Sequence, residues 1–229
     1  MQRFTGRTIL ITGAARGIGR GGLAATGLAI ATLEQDASAK EDWEKIIARI
    51  TADHGRLDIL VNNAGRGFLK TIEETGLDEW RRLMAINVES VFLGMQVGIA
   101  AMKVRGGVIV NVASIAANVA EPLFPAYNAT KGAVSMLSKA AAVDCARKGW
   151  PVRINSLHPG YCDTKLVRDA VASLGDKAGD FAAGIAAAIP LGRLATPREI
   201  ARPLLFLASD DAAYMIGAEL IVDGGYIAV

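Results

Sequence analysis

The chain alternates short, almost continuous aliphatic runs with longer helical segments, and this alternation limits its fold more than any other feature. Three of these runs lack the polar residue at every second position that is typical of a strand with one solvent-exposed face. They are Ile9-Leu10-Ile11, Ile59-Leu60-Val61 and Val108-Ile109-Val110. Strands without that alternation are buried on both faces, as in parallel sheets covered by helices. The pattern therefore predicts one α/β domain built on a doubly wound parallel sheet.

Six strands and four clear helices follow from these patterns. The strands are predicted at Thr8–Thr12, Ala29–Leu33, Leu57–Val61, Gly107–Val112, Arg153–Leu157 and Glu219–Val222. The helices are predicted at Lys40–His54, Leu77–Lys103, Tyr127–Lys148 and Pro197–Ser209, the last with Thr196 as its N-cap.

One part of this series is too short. Only 44 residues separate Thr12 from Leu57, whereas half of a doubly wound fold, with three helices and two strands there, needs roughly 60. The segment holds one strand, one clear helix and a glycine-rich stub, Ile18–Gly27, whose composition is poor for a helix. We therefore expect one strand and one helix to be missing around the second strand of the sheet.

Charge and cysteine content exclude several classes of partner. The net charge is +2, with 25 basic and 23 acidic residues spread along the 229-residue chain, so neither nucleic acid nor a membrane is expected as a partner. The beginning of the chain has no apolar signal core, which predicts a cytoplasmic protein. Cys145 and Cys162 form no CxxC pair, and with two scattered histidines they predict no metal site.

A glycine cluster follows the first predicted strand. In Thr12-Gly13-Ala14-Ala15-Arg16-Gly17-Ile18-Gly19 the glycines allow a tight turn and bring backbone N–H groups close to a phosphate. The helix that begins there favours negative charge at its N-terminus. The position and spacing favour a dinucleotide-binding loop.

A second cluster carries candidate chemistry. Tyr127 and Lys131 are four residues apart and share one helix face, so the lysine ammonium is placed to favour a tyrosine phenolate. Ser114 follows the strand Gly107–Val112, where its hydroxyl is placed to hold a substrate oxygen. A Ser114–His158 hydrolase is the competing interpretation, although no GxSxG elbow surrounds Ser114.

Together these motifs resemble the short-chain dehydrogenase/reductase family, within it the branch acting on secondary alcohols, including hydroxysteroids. The resemblance covers nearly the whole chain except the shortened segment, and it implies a single Rossmann-like domain over residues 1–229. The matching motifs, in chain order, are Thr12 to Gly19, Asn62-Asn63-Ala64-Gly65, Ile86-Asn87-Val88, Ser114 with Tyr127 and Lys131, and Pro159-Gly160-Tyr161-Cys162-Asp163-Thr164.

The resemblance implies a role for each matched residue. Tyr127 would be the general acid or base, with its pKa lowered by Lys131 and the cofactor, and Ser114 would bind the substrate oxygen. Lys131 would also bind the nicotinamide ribose, and Asn87 would hold a water linking Lys131 to solvent. The implied cofactor-binding set is Gly13, Ala15, Arg16, Gly17, Ile18, Gly19, Asp36, Asn63, Ala64, Gly65, Tyr127, Lys131, Pro159, Gly160, Cys162 and Thr164.

The missing segment affects cofactor choice, because the family reads the adenosine ribose at the end of the second strand. If Ala29–Leu33 moves into that position, Glu34 would accept the ribose 2′-hydroxyl; if it stays third, which we favour, Asp36 would meet the adenine. Arg16 favours NADP as the cofactor. The resemblance of the C-terminal half to alcohol dehydrogenases favours NAD. The prediction is NAD or NADP, with a slight preference for NAD.

Substrate and assembly are less constrained. The alanine-rich segment Lys165 to Pro190 lacks strong helix caps and is predicted to be a mobile lid over an apolar ketone or secondary alcohol. The resemblance implies a homotetramer. Two alternatives stay open: a dehydrogenase-fold binding protein without turnover, because the cofactor half is shortened, or a natural chain that is longer in this segment, which an intact mass well above 24.0 kDa would show.

Overall fold

The computed structural model describes residues 4–229, and five parallel strands in them form one sheet in the order β1-β2-β3-β4-β5. Neighbouring strands pair in register, with Ile9 opposite Ile59 and Leu60 opposite Ile109. The strands are β1 (Ile9–Ile11), β2 (Ile59–Asn62), β3 (Gly107–Val112), β4 (Val152–Pro159) and β5 (Glu219–Val222). Five of the six predicted strands, and the predicted α/β class with a parallel sheet, are confirmed.

Helices cover both faces of this sheet. They are α1 (Gly17–Thr26), α2 (Lys40–His54), α3 (Leu77–Met102), α4 (Pro125–Arg147), α5 (Lys165–Ala172), α6 (Ala178–Ala188) and α7 (Pro197–Ala208). The four predicted helices are confirmed, and Thr196 caps α7 by accepting a hydrogen bond from the Glu199 N–H.

Successive strand residues enter two separate cores. Leu60, Ile109 and Ile154 pack beneath α2, α3 and α4 with the fully buried Trp43. Their neighbours Ile59, Val61, Val108 and Val110 pack on the other face, beneath α7. Because both faces are buried, apolar side chains are favoured at successive strand positions, which explains the continuous aliphatic runs.

The predicted strand Ala29–Leu33 is wrong. Residues 27–36 form neither helix nor strand, and Ile30 and Leu33 are about half exposed. A third strand needs a second as its hydrogen-bonding neighbour, and in the described residues β1 is the edge of the sheet. The segment instead ends against α2, where the Trp43 indole N–H donates to the Ala37 carbonyl at 2.8 Å.

The glycine-rich stub is a helix after all. α1 extends without interruption from Gly17 to Thr26 despite its low helix propensity. It packs on α7, where a β-carbon at Gly21 would lie 3.3 Å from the Pro197 carbonyl oxygen. Tertiary packing against α7 therefore offsets the weak propensity of the segment.

Helix α3 is long and apolar enough to cross a membrane by length and composition alone. It instead packs as a core helix, with Val91, Met95 and Met102 buried against the sheet. Residues Ala85–Glu89 within it make one π-helical turn, a local widening that often marks functional sites. The sequence pattern predicted the helix but not this turn.

Candidate active site

The candidate site lies at the carboxyl edge of the sheet, where ligands bind in open parallel α/β folds. The loop after β1 carries the glycine cluster, and the loop after β2 carries Asn63, Ala64 and Gly65. Ser114 follows β3, and Gly160 follows β4. Sequence-distant motifs therefore meet because the strands that carry them end at one edge.

Side-chain and backbone hydrogen bonds tie the glycine loop to the loop after β2. The Thr12 hydroxyl accepts from the N–H groups of Asn63 and Ala64, both at 3.0 Å. In return, the Asn63 amide donates to the Thr12 carbonyl at 2.8 Å and to the Gly13 carbonyl at 3.3 Å. The loop is thus held open and rigid at the start of α1.

Two of the loop glycines have no room for a side chain. A β-carbon at Gly13, whose φ is +64°, would lie 2.8 Å from the Ala64 α-carbon. One at Gly19 would lie 2.6 Å from the Asn63 amide nitrogen. These close approaches leave a cradle of backbone N–H groups at a helix N-terminus, which fits a nucleotide pyrophosphate.

A cleft of about 890 Å³ extends from this loop across the carboxyl edge of the sheet. It brings together nearly all the residues of the predicted cofactor set, from both halves of the chain. The members that line it are Gly13, Ala15, Arg16, Gly17, Ile18, Asp36, Asn63, Ala64, Gly65, Tyr127, Lys131, Pro159, Gly160, Cys162 and Thr164. Gly19 does not line it and lies beneath the loop, buried against Asn63.

Asp36, rather than Glu34, is the acidic residue that lines the cleft. Its carboxylate accepts hydrogen bonds from the Ser38 hydroxyl at 2.6 Å and the Ser38 N–H at 2.9 Å, and these bonds lower its pKa. The strand shift that would have brought Glu34 to a ribose does not occur, since no strand forms there. The Arg16 guanidinium is exposed and bonds to no other described side chain.

Asn87 lies in the π-helical turn of α3 and is fully buried. Its Oδ1 accepts from the Arg66 N–H at 2.8 Å, and its amide donates to the Arg66 carbonyl at 2.8 Å and to the Thr130 hydroxyl at 3.1 Å. Asn87 therefore joins three parts of the site, namely α3, the loop after β2 and the helix that carries Tyr127 and Lys131.

Lys131 is buried on the same face of α4 as Tyr127. Its ammonium donates to the Val112 carbonyl at 2.8 Å and lies 5.5 Å from the centre of the Tyr127 ring. Burial lowers the pKa of Lys131 to about 8. Desolvation therefore disfavours the charged ammonium form of this lysine.

That the pKa of Tyr127 is lowered by Lys131 and the cofactor together stays a prediction. In the protein alone, the pKa of Tyr127 is raised to about 12, because the increase caused by burial exceeds the decrease caused by a hydrogen bond with Ser114. The sequence analysis did not include this desolvation of the phenolate, which opposes the effect of the two positive charges.

Ser114 caps a short 3₁₀ turn, Ile115–Ala117, by accepting a hydrogen bond from the Ala116 N–H at 3.1 Å. The competing interpretation, a Ser114–His158 hydrolase, is wrong. His158 Nδ1 faces the Ser114 carbonyl oxygen at 3.1 Å and the Asn118 side-chain oxygen at 3.0 Å, not the Ser114 hydroxyl. His158 thus fixes the backbone behind Ser114 and cannot act as its base.

A second cavity, of about 110 Å³, adjoins the cleft. Ser114, Tyr127 and Gly160 line both spaces. The cavity is otherwise mostly apolar and is covered in part by α5 and by Phe181 of α6. The sequence analysis assigned no role to several of the residues that line it, namely Phe68, Leu69, Glu121, Phe124 and Tyr226.

The segment 165–190, predicted to be a mobile lid without strong helix caps, holds two helices, α5 and α6. The Thr164 hydroxyl accepts from the Val167 N–H and caps α5, a signal that the sequence analysis overlooked. Only Ile185 is buried among the residues of the two helices. The segment is therefore helical but weakly attached to the rest of the domain.

The parallel sheet is covered on both faces and carries a phosphate cradle at its carboxyl edge. A partly buried tyrosine lies beside an apolar cavity, with a buried lysine next to it. This combination is typical of a nucleotide-dependent oxidoreductase. The family model described as enoyl-(acyl carrier protein) reductase matches residues 13–227. The chain belongs to the short-chain dehydrogenase/reductase family and is an NAD(P)-dependent oxidoreductase acting on CH–OH groups.

Three relatives illustrate the similarity. The NADP-dependent (R)-specific alcohol dehydrogenase of Lentilactobacillus kefiri is 39% identical over 86% of this chain and 76% of its own. The cyclopentanol dehydrogenase of Comamonas sp. is 42% identical over 86% and 76%. The cis-4-hydroxycyclohexanecarboxylate dehydrogenase of Sinomonas cyclohexanicum is 36% identical over 100% and 99%, and its match extends over 256 positions against the 229 residues of this chain.

Solved structures agree with the fold. A short-chain type dehydrogenase/reductase from Mycobacterium marinum has a TM-score of 0.89 and 29% identity over 99% of this chain and 97% of its own. ElxO with NADP bound has a TM-score of 0.87 and 28% identity over 97% and 99%.

Proposed function

We propose that this protein interconverts small secondary alcohols and ketones, with Tyr127 as the acid and base. The observation that carries the proposal is the position of Ser114 and Tyr127, which line both the nucleotide-sized cleft and the apolar cavity. A substrate in the cavity would have its reacting carbon beside both groups. Bound NAD(P)⁺ would accept the hydride from that carbon.

Each residue near the junction has a proposed part. In oxidation, the Tyr127 phenolate takes the alcohol proton, and in reduction the phenol returns it to the ketone oxygen. Ser114 hydrogen-bonds that oxygen and stabilises the charge developing on it. Lys131 favours the phenolate and binds the nicotinamide ribose, while Asn87 fixes the surrounding backbone and holds the water that links Lys131 to solvent.

The size of the cavity narrows the substrate class. An engineered cavity of about 150 Å³ in another protein accepts one benzene ring, so a cavity of about 110 Å³ suits a single small ring or a short branched chain. The names of the relatives acting on cyclopentanol and on a hydroxylated cyclohexane ring support the single-ring choice.

We infer that both nucleotides bind, with the slight preference for NAD predicted from sequence. Asp36 at the adenine end of the cleft supports NAD, whereas the exposed Arg16 and the relatives named for NADP support NADP. Titration of the protein with NADH and NADPH, followed by fluorescence, tests the order of affinities. A Kd for NADPH at least tenfold below that for NADH would contradict the preference.

A second candidate function follows from the missing strand. If β1 as an edge strand leaves the adenosine half of the cleft too open, the protein would bind ligands without turnover. Titration with both nucleotides and then an assay with cyclopentanol, cyclohexanol and 2-butanol separates the two functions. Nucleotide binding together with turnover would support the proposal that the protein is an enzyme. Failure to bind either nucleotide would refute that proposal.

The oligomeric state and location complete the proposal. We infer a cytoplasmic homotetramer, supported by the exposed apolar residues Phe92 of α3 and Met136 and Val143 of α4. Sedimentation should give a mass near four times 24.0 kDa at micromolar concentration. A species near 24 kDa would refute the assembly.

A further inference from the structure

One charged side chain lies among the described residues that line the substrate cavity, and the proposed chemistry does not use it. Glu121 belongs to the loop between Ser114 and Tyr127, and its neighbours in the cavity include Phe124, Tyr161 and Tyr226. A carboxylate beside an otherwise apolar wall loses hydration when a substrate displaces the water there. A carboxylate that loses hydration in this way raises the free energy of the complex unless a hydrogen-bond donor in the cavity replaces the lost water.

The position of Glu121 is fixed from two sides. Its carbonyl accepts a hydrogen bond from the Phe124 N–H at 2.9 Å, which closes a turn just before α4. Its Oε1 accepts a short hydrogen bond from the Tyr226 hydroxyl. The Tyr226 ring packs edge-on against Tyr161, with 5.5 Å between ring centres, so the donor is itself held in place.

Tyr226 is anchored in turn by the chain that carries it. Asp223 accepts hydrogen bonds from the N–H groups of Gly225 and Ile227, both at 2.9 Å. A β-carbon at Gly225 would lie 3.0 Å from Pro190, so this turn packs against the end of the lid segment. Glu121 and Tyr226 therefore form a rigid polar pair in the cavity wall.

The second carboxylate oxygen, Oε2, accepts no hydrogen bond from any residue of 4–229. No lysine, arginine or histidine in that range forms an ion pair with it either. A carboxylate has several acceptor positions, of which one is taken by Tyr226. Because Glu121 lines the cavity, the remaining positions are available to a ligand donor there.

We propose that Glu121 selects substrates that carry a second hydrogen-bond donor, a hydroxyl or an ammonium, on the same small ring as the reacting alcohol. The inference rests on the proposed function, since it assumes that the reacting carbon lies beside Ser114 and Tyr127. The same carboxylate repels a substrate carboxylate. The preferred substrates are thus small cyclic diols or amino alcohols, and ring-bound acids are disfavoured.

The test compares kcat/KM for cyclohexanol with that for four substituted rings. These are 1,3-cyclohexanediol, 1,4-cyclohexanediol, 4-aminocyclohexanol and cis-4-hydroxycyclohexanecarboxylate. The wild-type protein should use at least one diol or the amino alcohol about tenfold better than cyclohexanol, because a hydrogen bond to a charged group favours its binding. The diols and the amino alcohol distinguish the hydroxyl from the ammonium as the preferred donor.

Glu121→Gln should reduce that preference about tenfold, mainly through KM, and should improve use of the hydroxy acid relative to cyclohexanol. Tyr226→Phe keeps the ring packing but removes the hydrogen bond that orients Glu121, and should also reduce the preference. If Glu121→Gln does not fold, Tyr226→Phe alone tests the role of Glu121. Glu73→Gln, at an exposed position away from the cavity, is the matched control and should leave the ratio unchanged.

Each outcome decides the question. A wild-type preference that both variants lose supports the proposal. Turnover of cyclohexanol with no preference for any diol or amino alcohol, or a preference that survives both substitutions, overturns the role of Glu121 while leaving the proposed function intact. Turnover of no alcohol at all refutes the proposed function and this inference with it.

Discussion

The Lys131 ammonium lies 5.5 Å from the centre of the Tyr127 ring and donates a hydrogen bond to the Val112 carbonyl at 2.8 Å. One helical turn separates the two residues on α4, and β3 supplies the carbonyl that holds the lysine in place. The lysine charge is therefore kept beside the tyrosine by the sheet itself. The predicted pH dependence of the reaction follows from this arrangement.

Alcohol oxidation should become faster as the pH rises, because it needs the Tyr127 phenolate, and ketone reduction should become slower at high pH, because it needs the phenol. In the protein alone the pKa of Tyr127 is raised to about 12, mainly by burial, so the positive charges of Lys131 and the nicotinamide must bring it down. Lys131→Gln should shift the midpoint of kcat for oxidation upward by about one pH unit or more. The profile is measured at saturating nucleotide, and an unchanged midpoint would contradict the role of Lys131.

Gly13→Ala should weaken nucleotide binding at least about tenfold, because a β-carbon there would lie 2.8 Å from the Ala64 α-carbon at a φ of +64°. Isothermal titration with NADH measures the loss. Gly22→Ala, within α1, is the matched control, since its β-carbon would make an ordinary 3.7 Å contact with the side chain of Ile11 in β1. The control should keep its affinity and gain about 0.5–1 kcal/mol of stability. Equal nucleotide affinities in the two variants would refute the claim that the loop at Gly13 binds the nucleotide phosphates.

Glu219 should stabilise the protein against acid. Its carboxylate accepts hydrogen bonds from Lys139 and Ser135 of α4, which lower its pKa to about 2 despite partial burial. Because the folded pKa lies below the unfolded value of 4.5, this stabilisation is present above about pH 4.5 and is lost as the pH falls towards 2.

Glu219→Gln should accordingly lower the free energy of unfolding by about 1–2 kcal/mol at pH 7 and by less at pH 3. Chemical denaturation at the two pH values measures the difference. Asp144→Asn removes an exposed ion pair with Lys148 and should cost less than about 0.5 kcal/mol at either pH. A pH-independent cost for Glu219→Gln would contradict the assignment.

Residues 165–190 should exchange their amide hydrogens more slowly when nucleotide and a cyclic alcohol are bound together. The reason is that α5 and α6 bury only Ile185 in the free protein, while α5 and Phe181 line the cavity. Hydrogen exchange followed by mass spectrometry gives the comparison, with α2 as the internal reference. Unchanged exchange in the ternary complex would refute a closing lid.

Much of this arrangement was predictable from sequence, because aliphatic runs specify strands and motifs follow the ends of those strands. Gly13, Ser114, Tyr127 and Lys131 were predicted to share a site, and the strand order brings them to one cleft. The shortened segment was also predictable, since 44 residues cannot hold the usual number of elements.

The remaining features depend on tertiary context that a local pattern does not contain. Ala29–Leu33 has the composition of a strand but no neighbour to pair with, and α1 has poor propensity but packs on α7. The raised pKa of Tyr127 follows from burial, which depends on the whole fold. Glu121 and Tyr226 meet across 105 positions of sequence, and neither lies in a pattern that predicts the contact.

The central claim, that Tyr127 exchanges the substrate proton in a chain with a shortened nucleotide half, is tested most directly with Tyr127→Phe. The variant and the wild-type protein are compared for NAD(H) binding and for oxidation of a cyclic secondary alcohol, followed as reduced nicotinamide. We predict nearly unchanged nucleotide affinity and a loss of kcat of about 10²-fold to 10⁴-fold. Retention of wild-type turnover by Tyr127→Phe would contradict the account.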